Sequence, residues 1–166
     1  MRLFISINLS AELKYALADV QNAMLVRGMR GNYTTEENMH LTLAFIGEYP
    51  DVEPVLEALR SVAFTPFEIS LEGLGCFRDL WWVGIRDSAP LTAVVRRVRR
   101  ALAEGGISFD RKRFSPHITL IRKAAGVASG IRIPKAEMTV DAISLMRSDR
   151  GRKGMIYTEI GRIDAS

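Results

Sequence analysis

Cysteine is almost missing from this chain. Cys76 is the single one among 166 residues, which rules out an internal disulfide and fits a reducing compartment. Histidine is nearly as scarce, with His40 and His117 the only two. Zinc sites take three or four protein ligands, and here there is neither a cysteine cluster nor a third histidine, nor an Asp or Glu at ligand-like spacing. No metal and no cofactor are therefore expected. No apolar run is long enough to cross a bilayer. The opening Met1-Arg2-Leu3-Phe4-Ile5-Ser6 reaches Asn8 and Ser10 too early for a secretory segment. A cytoplasmic protein without membrane contact, and a monomer, is the expectation. Linkers and low-complexity stretches are also absent. Gly151-Arg152-Lys153-Gly154 lacks the spacing of a nucleotide-binding loop.

What is present is the composition of one soluble domain, 48% hydrophobic and 25% charged, long enough to bury a core without staples. The net charge of +4 is unevenly spread. Residues 1–90 carry 7 basic and 12 acidic side chains, whereas residues 91–166 carry 16 basic and 7 acidic ones. A basic half is a weak pointer to a polyanionic partner.

The two histidines sit in matching frames, His40-Leu41-Thr42-Leu43 and His117-Ile118-Thr119-Leu120. With 8 Thr and 16 Leu in the chain, chance gives both frames roughly one time in ten thousand. Duplication explains them better. Arg2–Leu9 reads as a strand, and Ser10 caps a helix whose stripe is Leu13, Leu17, Val20 and Met24, ending at Gly28. A polar stretch, 32–38, leads to the strand Met39–Ile46. About 78 residues later the pattern recurs. It comprises the strand Trp81–Ile85, a Ser88 cap, the stripe Leu91, Val95, Val98 and Leu102, then Gly105-Gly106 and the strand Phe114–Ile121. One domain of two pseudo-symmetric lobes, residues 1–166, with a single cleft between them is expected. A helix over Val52–Val62 and strands Pro66–Leu71, Met138–Met146 and Met155–Ile163 complete the expectation. Lys123–Gly130 and Ser148–Gly154 read as loops.

Side chains two apart on a strand share a face. His40 with Thr42, and His117 with Thr119, would thus look into the cleft while Leu41, Leu43, Ile118 and Leu120 enter the core. Two imidazoles across a small anion suit in-line attack at phosphorus, one taking a proton and the other giving one. Threonine hydroxyls and a nearby arginine would hold the non-bridging oxygens. A histidine alone on a strand is more often structural, and so is a strand threonine. The matched pair is what favours catalysis.

Paired His-x-Thr frames on duplicated lobes resemble the 2H phosphoesterase superfamily. The LigT-like branch, the RNA 2′,3′-cyclic phosphodiesterases of the 2′-5′ RNA ligase family, is the most similar. The likeness covers Met1–Ile5, Glu37–Glu48, Gly73–Phe77, Trp82–Gly84, Arg113–Arg122, Ser148 and Gly154–Tyr157. It implies an α+β class, a bilobal duplicated fold with two antiparallel sheets lining a central cleft and helices on the outside. It also implies metal-independent hydrolysis of an RNA or nucleotide 2′,3′-cyclic phosphate to a 2′-phosphate, with His117 as proton acceptor and His40 as proton donor. Thr42, Thr119 and Arg122 would bind the phosphate. Strict alternation turns Arg122 away from the cleft, so a bulge or a strand end is needed. Ala44 and Ser115 stand where many relatives carry basic residues, which is expected to remove positive charge near the cleft.

Phe45 and Phe77 are candidates for stacking on a base, although Phe45 has the parity of the core residues Leu41 and Leu43, and Phe77 lies in a loop-like stretch. Trp81 and Trp82 read as one core and one surface or cleft residue. Arg96, Arg97, Arg99 and Arg100 form a solvated helix face, whereas Arg150, Arg152 and Lys153 are better placed to reach phosphates. Two other functions fit the same residues. One is ATP-independent 2′-5′ RNA ligation, and the other a non-catalytic module that binds RNA ends.

Overall fold

Two serines start the two long helices in the same way. The Ser10 and Ser88 hydroxyls accept from the Leu13 and Leu91 backbone N–H, each at 3.2 Å, satisfying a donor that the helix leaves unpaired. The helices α1 (Ala11–Val26) and α3 (Ala89–Glu104) both run 16 residues. Each gives way to a left-handed glycine, Gly28 at φ +80° and Gly106 at φ +72°. The next residue then bonds back into the last turn, Met29 N to Met24 O at 3.1 Å and Ile107 N to Leu102 O at 2.9 Å. Start, length and stop all repeat.

The computed structural model describes residues 1–166. Its remaining elements are β1 (Arg2–Asn8), β2 (Arg30–Tyr33), a 3₁₀ turn (Glu36–Asn38), β3 (His40–Glu48), α2 (Glu53–Arg60), β4 (Phe67–Phe77), β5 (Leu80–Ile85), β6 (His117–Ala125), β7 (Glu137–Val140), β8 (Ala142–Gly151) and β9 (Gly154–Asp164). The strands form a four-stranded sheet ordered β3-β1-β8-β9 and a five-stranded sheet ordered β2-β6-β5-β4-β7. All pairings are antiparallel. The fold is thus α+β. One core of 39 buried residues runs through both sheets and all three helices. The histidine strands β3 and β6 lie beside each other where the sheets meet, with α1 against β6 and β7 and α3 against β3 and β4. Each long helix therefore touches the histidine strand of the other half. No helix is long and apolar enough to cross a membrane.

Several boundaries differ from the sequence reading, each for a reason of pairing. A strand, β2, begins at Arg30 and runs into the polar stretch 32–38 through Asn32 and Tyr33, and its residues are mostly exposed. Its ladder to Ile121–Ala125 holds it, with no hydrophobic alternation to reveal it. The run Met138–Met146 is two strands in different sheets. β7 joins β4 and β8 joins β1, and the chain crosses between the sheets at Asp141. Ser148–Gly154 is a β-hairpin tip rather than a loop, since Asp149, Arg150 and Gly151 pair with Ile156, Met155 and Gly154. Likewise β6 continues through Ala125 into the expected loop.

β4 runs on to Phe77, so that residue ends a strand. Its glycines look like breakers in sequence but have structural tasks. Gly73, at φ +81°, sits in a register shift against β5. Gly75 lies flat under the Trp82 indole, where an added methyl would overlap the ring. Gly75→Ala should therefore cost about 1–3 kcal/mol through overpacking. Chemical denaturation is expected to show the lower midpoint, together with a shifted tryptophan emission.

Candidate active site

Each histidine strand carries one extra residue just past its threonine. β1 pairs with β3 through Ser6–Thr42 and Ile5–Ala44, leaving Leu43 outside the ladder. β5 pairs with β6 through Trp82–Thr119 and Trp81–Ile121, leaving Leu120 outside in the same way. A one-residue bulge reverses which face the following side chains occupy. Before it, half-buried His40 and Thr42 alternate with fully buried Leu41 and Leu43, and His117 and Thr119 alternate with Ile118 and Leu120. After it, Ile121 enters the core beside Leu120, and Arg122 emerges on the histidine face.

The same bulge corrects two readings on β3. Ala44 follows Leu43 into the core, 1% exposed, so its lack of charge removes nothing from the cleft. Phe45 loses the parity of Leu41 and Leu43 and turns to the histidine face. There its ring lies 5.1 Å from the Arg2 guanidinium, outside the cleft lining.

His40, Thr42, His117, Thr119 and Arg122 all line one cleft of about 1210 Å³. Its far walls are 31–38 and the hairpin tip 151–157, which adds Arg152 and Lys153. Glu37 is the only acidic residue of the lining against these three cations. The local field therefore favours an anion. Asn38 ties the two walls together, its side-chain amide donating to Met155 O at 2.8 Å.

Both imidazoles are oriented by the backbone two residues upstream. His40 Nδ1 lies 2.7 Å from Asn38 O, and His117 Nδ1 lies 2.7 Å from Ser115 O. A carbonyl only accepts, so each Nδ1 donates, and Nε2 is left able to take or give a proton. Aromatic rings brace both. His40 sits 4.9 Å from Phe4 and 5.2 Å edge-on from Tyr157. His117 sits 5.4 Å edge-on from Phe77 and 6.0 Å from Trp82. Phe77 is 49% exposed, at the open end of this support. Phe4 and Trp82 are 78 residues apart, the offset of the helices, so the duplication itself could have signalled them. Tyr157 and Asn38 have no such signal.

Arg99 departs from the solvated face assigned to its neighbours. It turns inward, half-buried, and its guanidinium lies 5.8 Å and 5.9 Å from the Phe109 and Phe114 rings. Arg96, Arg97 and Arg100 remain exposed, and Arg150 lies outside the cleft lining.

Fold and cleft define an α+β protein of two antiparallel sheets with two backbone-oriented imidazoles in one cationic groove. The model of the 2′-5′ RNA ligase superfamily matches residues 20–152, and this chain belongs to that superfamily. The RNA 2′,3′-cyclic phosphodiesterase of Thermotoga maritima is 31% identical, covering 95% of this chain and 91% of its own. The protein of the same name from Escherichia coli K12 is 31% identical over 97% and 94% of the two chains. The crystal structure of E. coli LigT complexed with 3′-AMP superposes with a TM-score of 0.83 at 25% identity, covering 99% and 98%.

Burial pushes the His40 pKa below its ordinary value. The bond to Asn38 O opposes this, while the charges of Arg122 and His117 add to it. Unfolded, the ring titrates near its ordinary value of about 6.5. The unfolded chain thus binds the proton first as pH falls, and stability present above that value is lost as pH drops through the lowered one. The denaturation midpoint should fall between about pH 7.5 and about pH 5. His40→Gln should shrink that difference.

Proposed function

We propose that this chain hydrolyses the 2′,3′-cyclic phosphate at the end of an RNA or nucleotide to a 2′-phosphate, without a metal ion. The observation that carries the reading is the matched pair of imidazoles. Each is held through Nδ1 with Nε2 free, in one cleft with two threonines and Arg122. The named activity of the relatives supports the substrate class. Water attacks phosphorus and gives its proton to His117 Nε2. The bond from phosphorus to the ribose 3′ oxygen breaks, and that oxygen takes a proton from His40 Nε2. Thr42, Thr119 and Arg122 hold the non-bridging oxygens as charge builds on them. The donor set supports metal independence, since no group of three His, Cys, Asp or Glu is positioned to share an ion.

Turnover of 2′,3′-cyclic AMP and of a cyclic-phosphate-ended oligonucleotide, with EDTA present, tests the reading. His40→Ala and His117→Ala should each lower kcat/KM about 10²- to 10⁴-fold. A double variant with full activity would overturn it, as would tight binding with no turnover. Adding RNA with a 5′-hydroxyl separates hydrolysis from ligation, because only ligation lengthens the product.

The pH profile carries a second expectation. As the acid, His40 must be protonated, and the protein itself lowers its pKa. A bound phosphodiester anion opposes the charges of Arg122 and His117, so binding raises it. Both kcat/KM and kcat should be bell-shaped, with the His40 limb at higher pH in kcat, which reports the complex. Arg122→Gln should move that limb upward in kcat/KM and raise KM.

A further inference from the structure

Two helix side chains reach back to the backbone of the histidine strands. On α1, Gln21 Nε2 donates to Thr34 O at 2.8 Å and to Leu120 O at 3.0 Å. On α3, Arg99 Nη1 donates to Lys112 O at 2.7 Å, and its Nε and Nη2 donate to Leu43 O at 3.3 Å each. The two sets of bonds are the same arrangement used twice. The helical offset of 78 carries Gln21 onto Arg99 and Thr34 onto Lys112, and the histidine offset of 77 carries Leu43 onto Leu120. Leu43 and Leu120 are the bulged residues next to Thr42 and Thr119.

The bonds also cross. Gln21 and Thr34 belong to the first half but hold the strand of His117. Arg99, braced by Lys112 O, belongs to the second half but holds the strand of His40. Backbone bonds follow the same exchange, Thr34 N to Leu120 O at 2.9 Å and Asp110 N to Phe45 O at 2.8 Å. A bulged residue has left its ladder, so its orientation depends on other partners. Here the partner is a donor fixed on a helix. For Arg99 the planar fork, 5.8 Å and 5.9 Å from the Phe109 and Phe114 rings, fixes it further.

We propose that Gln21 and Arg99 are positioning residues. They form a reciprocal clamp in which each half's helix fixes the bulge on the other half's histidine strand, and so sets the two imidazoles against each other. Neither residue is itself part of the cleft lining, although Gln21 bonds to Thr34, which is. The kinetic consequence rests on the phosphodiesterase reading, whereas the structural one does not.

The test uses Gln21→Glu, close in shape but without the amide donors, and Arg99→Lys, which keeps the charge but loses the fork. With 2′,3′-cyclic AMP, kcat should fall about 10- to 100-fold while KM stays within about threefold, the signature of misplaced reacting groups. The Gln21→Glu deficit should shrink relative to the parent as pH falls, because a protonated carboxyl regains one donor. With only two histidines, ring NMR signals assign cleanly. Gln21→Glu should move those of His117 first, and Arg99→Lys those of His40. Gln21→Met, of similar shape and donor-free, replaces Gln21→Glu if the latter does not fold. A parent that turns over no cyclic phosphate defeats the functional reading, and the NMR result then decides the clamp alone. Imidazole signals unmoved in folded variants, or kcat unchanged in an active enzyme, would overturn it.

Discussion

The molecule depends on a single irregularity made twice, the residue inserted after His-x-Thr in β3 and β6. A regular strand shows alternate residues to one face, so a strand giving histidine and threonine to the cleft would send a residue five beyond the histidine to the core side. The bulge at Leu120 reverses that and brings Arg122 into the cleft lining. The bulge at Leu43 makes the same reversal on the other strand, where Phe45 takes the place that Arg122 holds opposite. The cleft is thus built from one backbone plan with two different side-chain outcomes. Asymmetry between the two imidazoles begins there. Arg122 comes from one strand only, and its charge is among the causes that depress His40.

Burial and charge divide the labour further. Both imidazoles have the same carbonyl bond, so orientation does not distinguish them. Surroundings do: His40 is closed in by Phe4 and Tyr157, whereas His117 leans on Phe77 at the exposed end of β4 and on Trp82 over Gly75. Burial, the leading cause of the lowered His40 pKa, therefore follows from aromatic packing at one end of the cleft. The cations of the lining, Arg122 with Arg152 and Lys153 on the hairpin tip, come from two sheets. The basic half of the chain reaches the cleft mainly through these residues, while most of the arginines on α3 face water.

Much of this was legible beforehand. Ser10 and Ser88, the stripes of α1 and α3, and the closing glycines are local signals, because a helix of that length is specified by its own cap, periodicity and stop. The His-x-Thr frames were legible because duplication repeats residues at fixed spacing. Local pattern misleads where strand pairing overrides it. Polar β2 is a strand because β6 supplies its bonds. Residues 138–146 split at Asp141 because two sheets compete for one run. Phe77 belongs to a strand because Gly73 and Gly75 make room and not a break. Helical spacing alone puts Arg99 in water, while its bonds go to Leu43 O, 56 residues away, and to Lys112 O, beyond the end of its helix.

By itself, the sequence determined the two strand–helix–strand units, the pairing of each histidine with a threonine on one face, and the need for a backbone irregularity if Arg122 was to join them. Those properties depend on residues a few positions apart. The tertiary structure alone decided that the irregularity is a bulge, that Ala44 is core and Phe45 is not, and that the helices grip each other's histidine strands. It alone also decided that one imidazole is more deeply enclosed than the other. These depend on which strands pair and which faces meet, and a ladder partner or a crossing helix leaves no periodic trace in the segment it constrains.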